Sequence, residues 1–276
     1  MHYAPIILVS KAPPHSTLSG VQFGITSALS DSAHLLGIQF VDPSNAIALR
    51  DFNRSLRTLA PVGAILDPGL SGNDALIDVI EKGGVQYVCI APDASEAASR
   101  VVCSNDRLAM CDATNFLISQ GHRRIGYISI SEAGPVTRER EMGFLDALAQ
   151  HGLDFGADLV VPADNTAQAA MEAALLLLAV SPRPTAILAS SDMQAAGVLQ
   201  AAHSRGIAVP GALSVMGFGD SDLAAALTPP LTNMQIPYAE MGFTAAIKLL
   251  DPSRAAMQPV EFFCKLVVRQ STAPLP

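Results

Sequence analysis

Short β-branched apolar runs alternate with longer amphipathic stretches from one end of this chain to the other, and that alternation restricts its fold more than any other feature. The runs are PIILVS (5–10), GIQFV (37–41), GAILD (63–67), YVCIA (87–91), RIGYISI (124–130), TAILAS (185–190) and LSVMGF (213–218). Their apolar, β-branched content is what strands covered on both faces of a parallel sheet require. Between them lie segments with apolar residues at a three-to-four spacing, several ending in glycine. These predict helices over 17–31, 51–60, 72–83, 106–120, 138–151, 167–180, 192–205 and 238–250. A β-then-α order implies an α/β fold with helices over both sheet faces. A chain of 276 residues exceeds the comfortable size of one core, and the units divide about evenly around residue 100. Two doubly wound lobes are therefore expected. Ligands of such sheets bind beyond the carboxyl ends of the strands, which in facing lobes would line a cleft.

The charge balance narrows the partners. A formal net charge of −8 argues against a broad phosphate-binding face, which needs clustered Lys and Arg. No apolar run approaches the roughly 20 residues needed to cross a bilayer, so no membrane partner is expected. The start, MHYAPIILVSKAPP, has no basic leader or small-residue cleavage site, so a cytoplasmic location is expected. Cys89, Cys103, Cys111 and Cys264 form no CxxC pair, have no histidine at metal spacing, and read as reduced core residues. His2, His15, His34, His122, His151 and His203 are scattered and read as surface or capping residues.

Signatures of catalysis are missing. No GxSxG elbow, Walker loop or HExxH helix occurs, so no catalytic residue, metal or cofactor is assigned. GFGDSD (217–222) is the nearest approach to a dinucleotide fingerprint, with Asp222 where the third glycine belongs. In QGHRRIGYISI (120–130), Gly121 suits a left-handed helix cap before a strand. After that strand TRERE (137–141) opens a helix, where Arg140, and less readily Arg138, would reach a ligand. A planar guanidinium suits paired hydroxyls or a carboxylate. Ser190, Ser191 and Asp192 lie where the next strand meets its helix: Asp192 reads as a cap and Ser191 as a cap or ligand contact. Asp220, in MGFGDSD, is a candidate acceptor for sugar-like hydroxyls. TPPLTNMQIP (228–237) has too many fixed φ angles for a helix and reads as a crossover between lobes.

GHRRIGYI, RERE with MGF, PTAILASSDMQAAGVLQAAHSRGIAVPGALSVMGFGDS, LTPPLTNMQIPYAEMG and LVVRQSTAP follow one another in this order. The ordered set resembles regulators of the lactose- and galactose-repressor family over essentially the whole chain. The resemblance implies a periplasmic-binding-protein-like core of type I: two Rossmann-like lobes, about 1–100 plus 234–258 and about 101–233 plus 259–276, joined by three crossovers, with an effector in the cleft. It implies a homodimer formed through the core. It also implies a helix-turn-helix headpiece of roughly 60 residues ahead of the first strand. Here that strand begins almost at Met1, so the headpiece is expected to be absent and operator DNA to be reached only through it.

By the same resemblance Arg140 matches the family's effector-gripping arginine. His15, Ser16 and Thr17 fall in a loop that lines the pocket, and Ser104 and Asn105 form the polar pair opening the helix after the crossover. Asn165 falls where some members stack an aromatic on the ligand, and Ser191 at a polar pocket position. The acidic residue that usually follows Gly-Phe is replaced by Gly219, leaving Asp220 one position late. The expected function is the effector-sensing core of a transcription regulator, with a small polar effector such as a sugar. The alternative is the solute-binding protein of a sugar transporter. Arg140→Ala is expected to abolish binding and leave the fold intact.

Overall fold

Residues 4–11, 18–91, 100–132, 134–153, 156–251 and 259–275 are described by the computed structural model. In chain order the elements are β1 (Ile6–Ser10), α1 (Leu18–Leu29), β2 (Leu36–Phe40), α2 (Ala46–Leu59), β3 (Gly63–Leu66), α3 (Asp74–Lys82), β4 (Gln86–Ala91) and β5 (Val101–Ser104). Then come α4 (Asp106–Ser119), β6 (Ile125–Ile130), α5 (Pro135–Gln150), β7 (Val160–Ala163), α6 (Ala167–Ala179), β8 (Ala186–Ala189) and α7 (Asp192–Ser204). The chain closes with β9 (Ser214–Gly219), α8 (Asp222–Ala226), β10 (Thr232–Gln235), α9 (Tyr238–Leu250), β11 (Val260–Phe262) and β12 (Lys265–Val267).

These elements form two compact units, Met1–Ser104 with Pro237–Phe262, and Asn105–Ile236 with Phe263–Pro276. The first unit carries the sheet order β11-β5-β4-β3-β1-β2, parallel throughout. All of Ile6, Ile7, Leu8 and Val9 are buried because both faces are covered. Ile7, Val9, Ala64, Leu66, Tyr87 and Cys89 pack with Phe52 and Leu56 of α2 and with Leu76 and Ile80 of α3. The alternate residues face the layer to which α1 and α9 belong, where the two helices touch closely: a Cβ on Gly242 would sit 2.3 Å from the Val21 carbonyl.

The second unit has the order β12-β10-β9-β8-β6-β7, parallel except for the antiparallel pairing of β12 with β10. Its core is rich in alanine, with Ala173, Ala174, Ala195, Ala201 and Ala202 packed around Leu177, Ile187 and Val215. The order reverses between β6 and β8, the kind of switch point beside which open α/β sheets bind ligands.

Three expectations are corrected. The segment 228–237 is more than a crossover: it contains β10, an inner strand of the second sheet. Its Thr232 and Asn233 are polar but fully buried, with Thr232 bonded to Thr272 and Asn233 to Asp192 and Asp220. Helix α2 starts earlier than the apolar spacing indicated, because Asn45 caps it by accepting from Ile47 and Ala48 N–H. His122 is neither at the surface nor a cap. It is buried at the amino end of the second sheet, with Nδ1 2.9 Å from the Thr185 hydroxyl and Nε2 3.0 Å from the Ser214 hydroxyl and 3.2 Å from the Ala273 carbonyl.

Because Ala273 offers only a lone pair there, Nε2 donates, and in the neutral ring Nδ1 accepts from the Thr185 hydroxyl. Burial pushes the imidazole below its usual value of 6.5, against the opposing bond to Ala273. The unfolded chain therefore takes up the proton first on acidification, so this contribution is complete above pH of about 6.5 and fades as pH falls through the lowered folded value. Urea midpoints of wild type and His122→Gln should diverge at pH 7.5 and converge toward pH 5. An unchanged gap would remove His122 as the source.

Candidate ligand-binding site

The switch point of the second sheet gathers a set of polar side chains graded from buried to exposed. At its floor is Arg140, in the second turn of α5 and only 6% exposed. Its Nε donates to Asp106 at 2.8 Å, its Nη1 donates to the Ser190 carbonyl at 2.7 Å, and the guanidinium lies 4.3 Å above the Phe218 ring centroid. The Ser190 hydroxyl is 2.5 Å from that of Tyr127, whose ring stacks on Phe144 at 4.9 Å. Burial pushes the Tyr127 phenol well above its ordinary value, so it remains a hydroxyl. Arg140 is thus held by an acid, a carbonyl and an aromatic face at the end of β8.

Above this floor Ser191 caps α7, accepting from the Gln194 N–H at 3.1 Å and donating to Asn165 Oδ1 at 2.5 Å. Asn165 is exposed and follows β7. Nearby, Ser131 at the end of β6 donates to the Asp164 carboxylate. The buried Gln194 amide ties the ends of β6 and β7 together, donating to Ser129 at 3.1 Å and to Ala163 at 3.0 Å. Its Oε1 has no hydrogen-bond partner among the described residues.

The sequence candidates fall out unevenly. Ser191 and Asn165 are bonded to each other, and Arg140 bonds the carbonyl of the adjacent Ser190. Ser104 ends β5 in the first unit, whereas Asn105 opens the second unit and turns its Oδ1 to the Cys264 N–H at 2.8 Å, leaving α4 without a side-chain cap. His15, Ser16 and Thr17 lie outside the described residues. Asp220 has a left-handed backbone, φ 58°, and its carboxylate accepts from Arg269 Nη1 at 2.6 Å and Nη2 at 3.1 Å and from Gln235 at 3.0 Å. Asp tolerates that φ through its short polar side chain, and the bidentate pair fastens the closing segment of the chain to the end of β9.

Asp192 does not cap α7, as the sequence suggested, because Ser191 occupies the cap. Its buried carboxylate accepts from Asn233 Nδ2 at 2.5 Å and from the Ser221 N–H and hydroxyl at 2.6 and 2.7 Å. Burial raises its pKa above the ordinary carboxylate value, and these three bonds oppose the rise. The acid that sequence reasoning missed is Asp106. An aspartate opening a helix is unremarkable by itself, and its partner lies 34 residues away. Because Arg140 is half of a buried ion pair, Arg140→Ala is expected to lower stability as well as to abolish binding.

Cys89, Cys103 and Cys111 are buried and Cys264 is half-buried; none is in a disulfide among the described residues. Burial pushes the Cys264 thiol up to about 12. Among the described residues no group of three or more His, Cys, Asp or Glu is placed to hold a metal ion, and no helix is long and apolar enough to cross a membrane.

Residues 114–272 match the family model for the periplasmic binding protein-like domain. The HTH-type transcriptional repressor CytR of Escherichia coli K12 is 36% identical over 173 residues, which is 61% of this chain and 50% of CytR. The chain therefore spans about half the length of that relative. Among solved structures, the transcriptional regulator CelR in complex with cellobiose superposes with TM-score 0.86 at 25% identity, covering 98% of this chain and 86% of that one. A LacI-family regulator from Mycobacterium smegmatis superposes with TM-score 0.84 at 26% identity, covering 98% and 99%. The α/β units, the order of strands and these matches agree: the chain belongs to the periplasmic binding protein-like domain family.

Proposed function

We propose that this chain is the ligand-sensing core of a bacterial transcription regulator, which holds a small polar effector, a sugar or related metabolite, at the carboxyl end of the second unit's strands. One observation carries the reading: a pre-positioned guanidinium lies at the switch point of an open parallel sheet, with the linked Ser191 and Asn165 as its polar rim. Arg140 supplies fixed donors to ligand oxygens, and Asn165 and Ser191 exchange their mutual bond for bonds to hydroxyls. Occupancy then favours one arrangement of a homodimer over another, and the core transmits that preference to a DNA-binding headpiece outside this chain. Working in the cytoplasm and without catalysis completes the proposal. CytR and CelR bear the names of regulators, which favours this reading over a transporter's solute-binding protein.

A thermal-shift screen of sugars, sugar acids, polyols and nucleosides tests it. A ligand at a hundred times its Kd should stabilise the protein by about 2.7 kcal/mol. Asn165→Ala is expected to leave the melting temperature of the ligand-free protein within about 1 °C, because the side chain is exposed. It should also weaken the bound ligand about tenfold, the loss of one good hydrogen bond. No shift with any compound in the screen would overturn the proposal, and an unaltered shift in Asn165→Ala would move the site elsewhere.

A further inference from the structure

The arginine at the floor of the site is already matched by an acid before any ligand arrives. Asp106 and Arg140 approach to 2.8 Å with side chains only 2% and 7% exposed, so water screens neither. Asp106 is the first residue of α4, and the chain passes between the units immediately before its neighbour Asn105. An acidic residue in a first helical turn is ordinarily accounted for by the helix's own N–H groups; this one spans to a different helix and takes the Nε edge of the guanidinium. The Ser190 carbonyl takes Nη1 and the Phe218 ring lies against one face. A ligand at this guanidinium therefore meets a carboxylate beside it.

Taking Arg140 as a ligand contact, as the proposed function does, we infer that Asp106 is a specificity-determining residue that selects neutral hydroxyl-bearing ligands over their carboxylate or phosphate counterparts. A ligand hydroxyl accepts from the guanidinium with no charge conflict. A ligand carboxylate on the same guanidinium would stand about 4–6 Å from that of Asp106, where like charges oppose one another and burial removes screening. Neutralising Asp106 removes the carboxylate that opposes a ligand anion at this guanidinium.

Calorimetric titration with matched probes tests this: glucose and glucuronate, galactose and galacturonate, cellobiose and cellobionate, ribose and ribose 5-phosphate. The readout is the ratio of anionic to neutral Kd within the pair that binds best. Wild type is expected to prefer the neutral member by at least about tenfold, and Asp106→Asn to shift the ratio toward the anion by at least about tenfold. Asp106→Ser, smaller and also uncharged, should shift it in the same direction. A purely structural role for Asp106 would weaken both members of a pair alike and leave the ratio in place, and that result overturns the inference. So does a wild type that takes the anion as well as the neutral sugar, which decides the matter alone if neither variant folds. Binding of none of the eight probes by wild type overturns the ligand-site reading itself; binding with an unmoved ratio overturns only the role of Asp106.

Discussion

Arg140→Ala is expected to lower the stability of the second unit by about 3–5 kcal/mol and to abolish effector binding in the same step. The stability loss arises from what remains. Asp106, 2% exposed, loses its 2.8 Å partner, and the Ser190 carbonyl loses the donor 2.7 Å away. The Phe218 ring also loses the cation above its face. Urea denaturation followed by circular dichroism reads the first effect and titration calorimetry the second. A double replacement separates them. Arg140→Met with Asp106→Leu removes both charges and roughly preserves volume, so it should recover much of the stability, since exchanging a buried ion pair for packed apolar groups is often neutral or better. Binding should stay absent, because the directional donors are gone. A single variant with the stability of wild type, or a double variant that binds, would show that the pair is not the floor of the site.

Gly143→Ala should cost about 3 kcal/mol, the upper part of the usual range for overpacking, and should weaken binding from a distance. Gly143 lies on the face of α5 that meets α4. A Cβ there would stand 2.1 Å from the Arg107 carbonyl oxygen and 2.9 Å from the Met110 Cβ. The first obstacle is helix backbone, which has no rotamer to change, so the two helices have to separate. Arg140 lies one turn before Gly143 on α5, and Asp106 adjoins Arg107 on α4. Separation therefore lengthens the 2.8 Å Arg140–Asp106 contact and the 2.6 Å Arg107–Asp146 contact together. Gly134→Ala is the matching control. A Cβ at Gly134 meets no heavy atom within 4 Å and its backbone is extended, so stability and affinity should stay near wild type. Equal behaviour of the two variants would refute the close-packing argument.

The elements most legible in the sequence are those whose pattern reports burial. β1, β3 and β8 are dominated by apolar residues because helices cover both of their faces. Helices α4, α6, α7 and α9 announce themselves by spacing, and α6 and α7 also by the capping side chains of Thr166 and Ser191. β10 was hidden because Thr232 and Asn233 are buried through hydrogen bonds, and hydropathy does not register a satisfied polar group. β7 was hidden by Pro162 in a short strand at the edge of the second sheet, where a missing N–H costs little. Of the proposed site, Arg140, Ser191 and Asn165 were candidates from their places at strand ends and from the order of motifs. Asp106, Asp192 and Arg269 were not legible as partners in the networks they build.

By itself the sequence determined the α/β class, the parallel sheets and the family, because all three follow from local apolar period and from the order of motifs along the chain. It also singled out Arg140. Only the tertiary structure decided what each polar group does. Asp106 meets Arg140 from 34 residues away, and Arg269 meets Asp220 from 49, while Asp192 gives up capping to hold Asn233 and Ser221. Ion pairs and hydrogen bonds change over a few ångströms, and distances on that scale between remote segments exist only once helices and strands have packed.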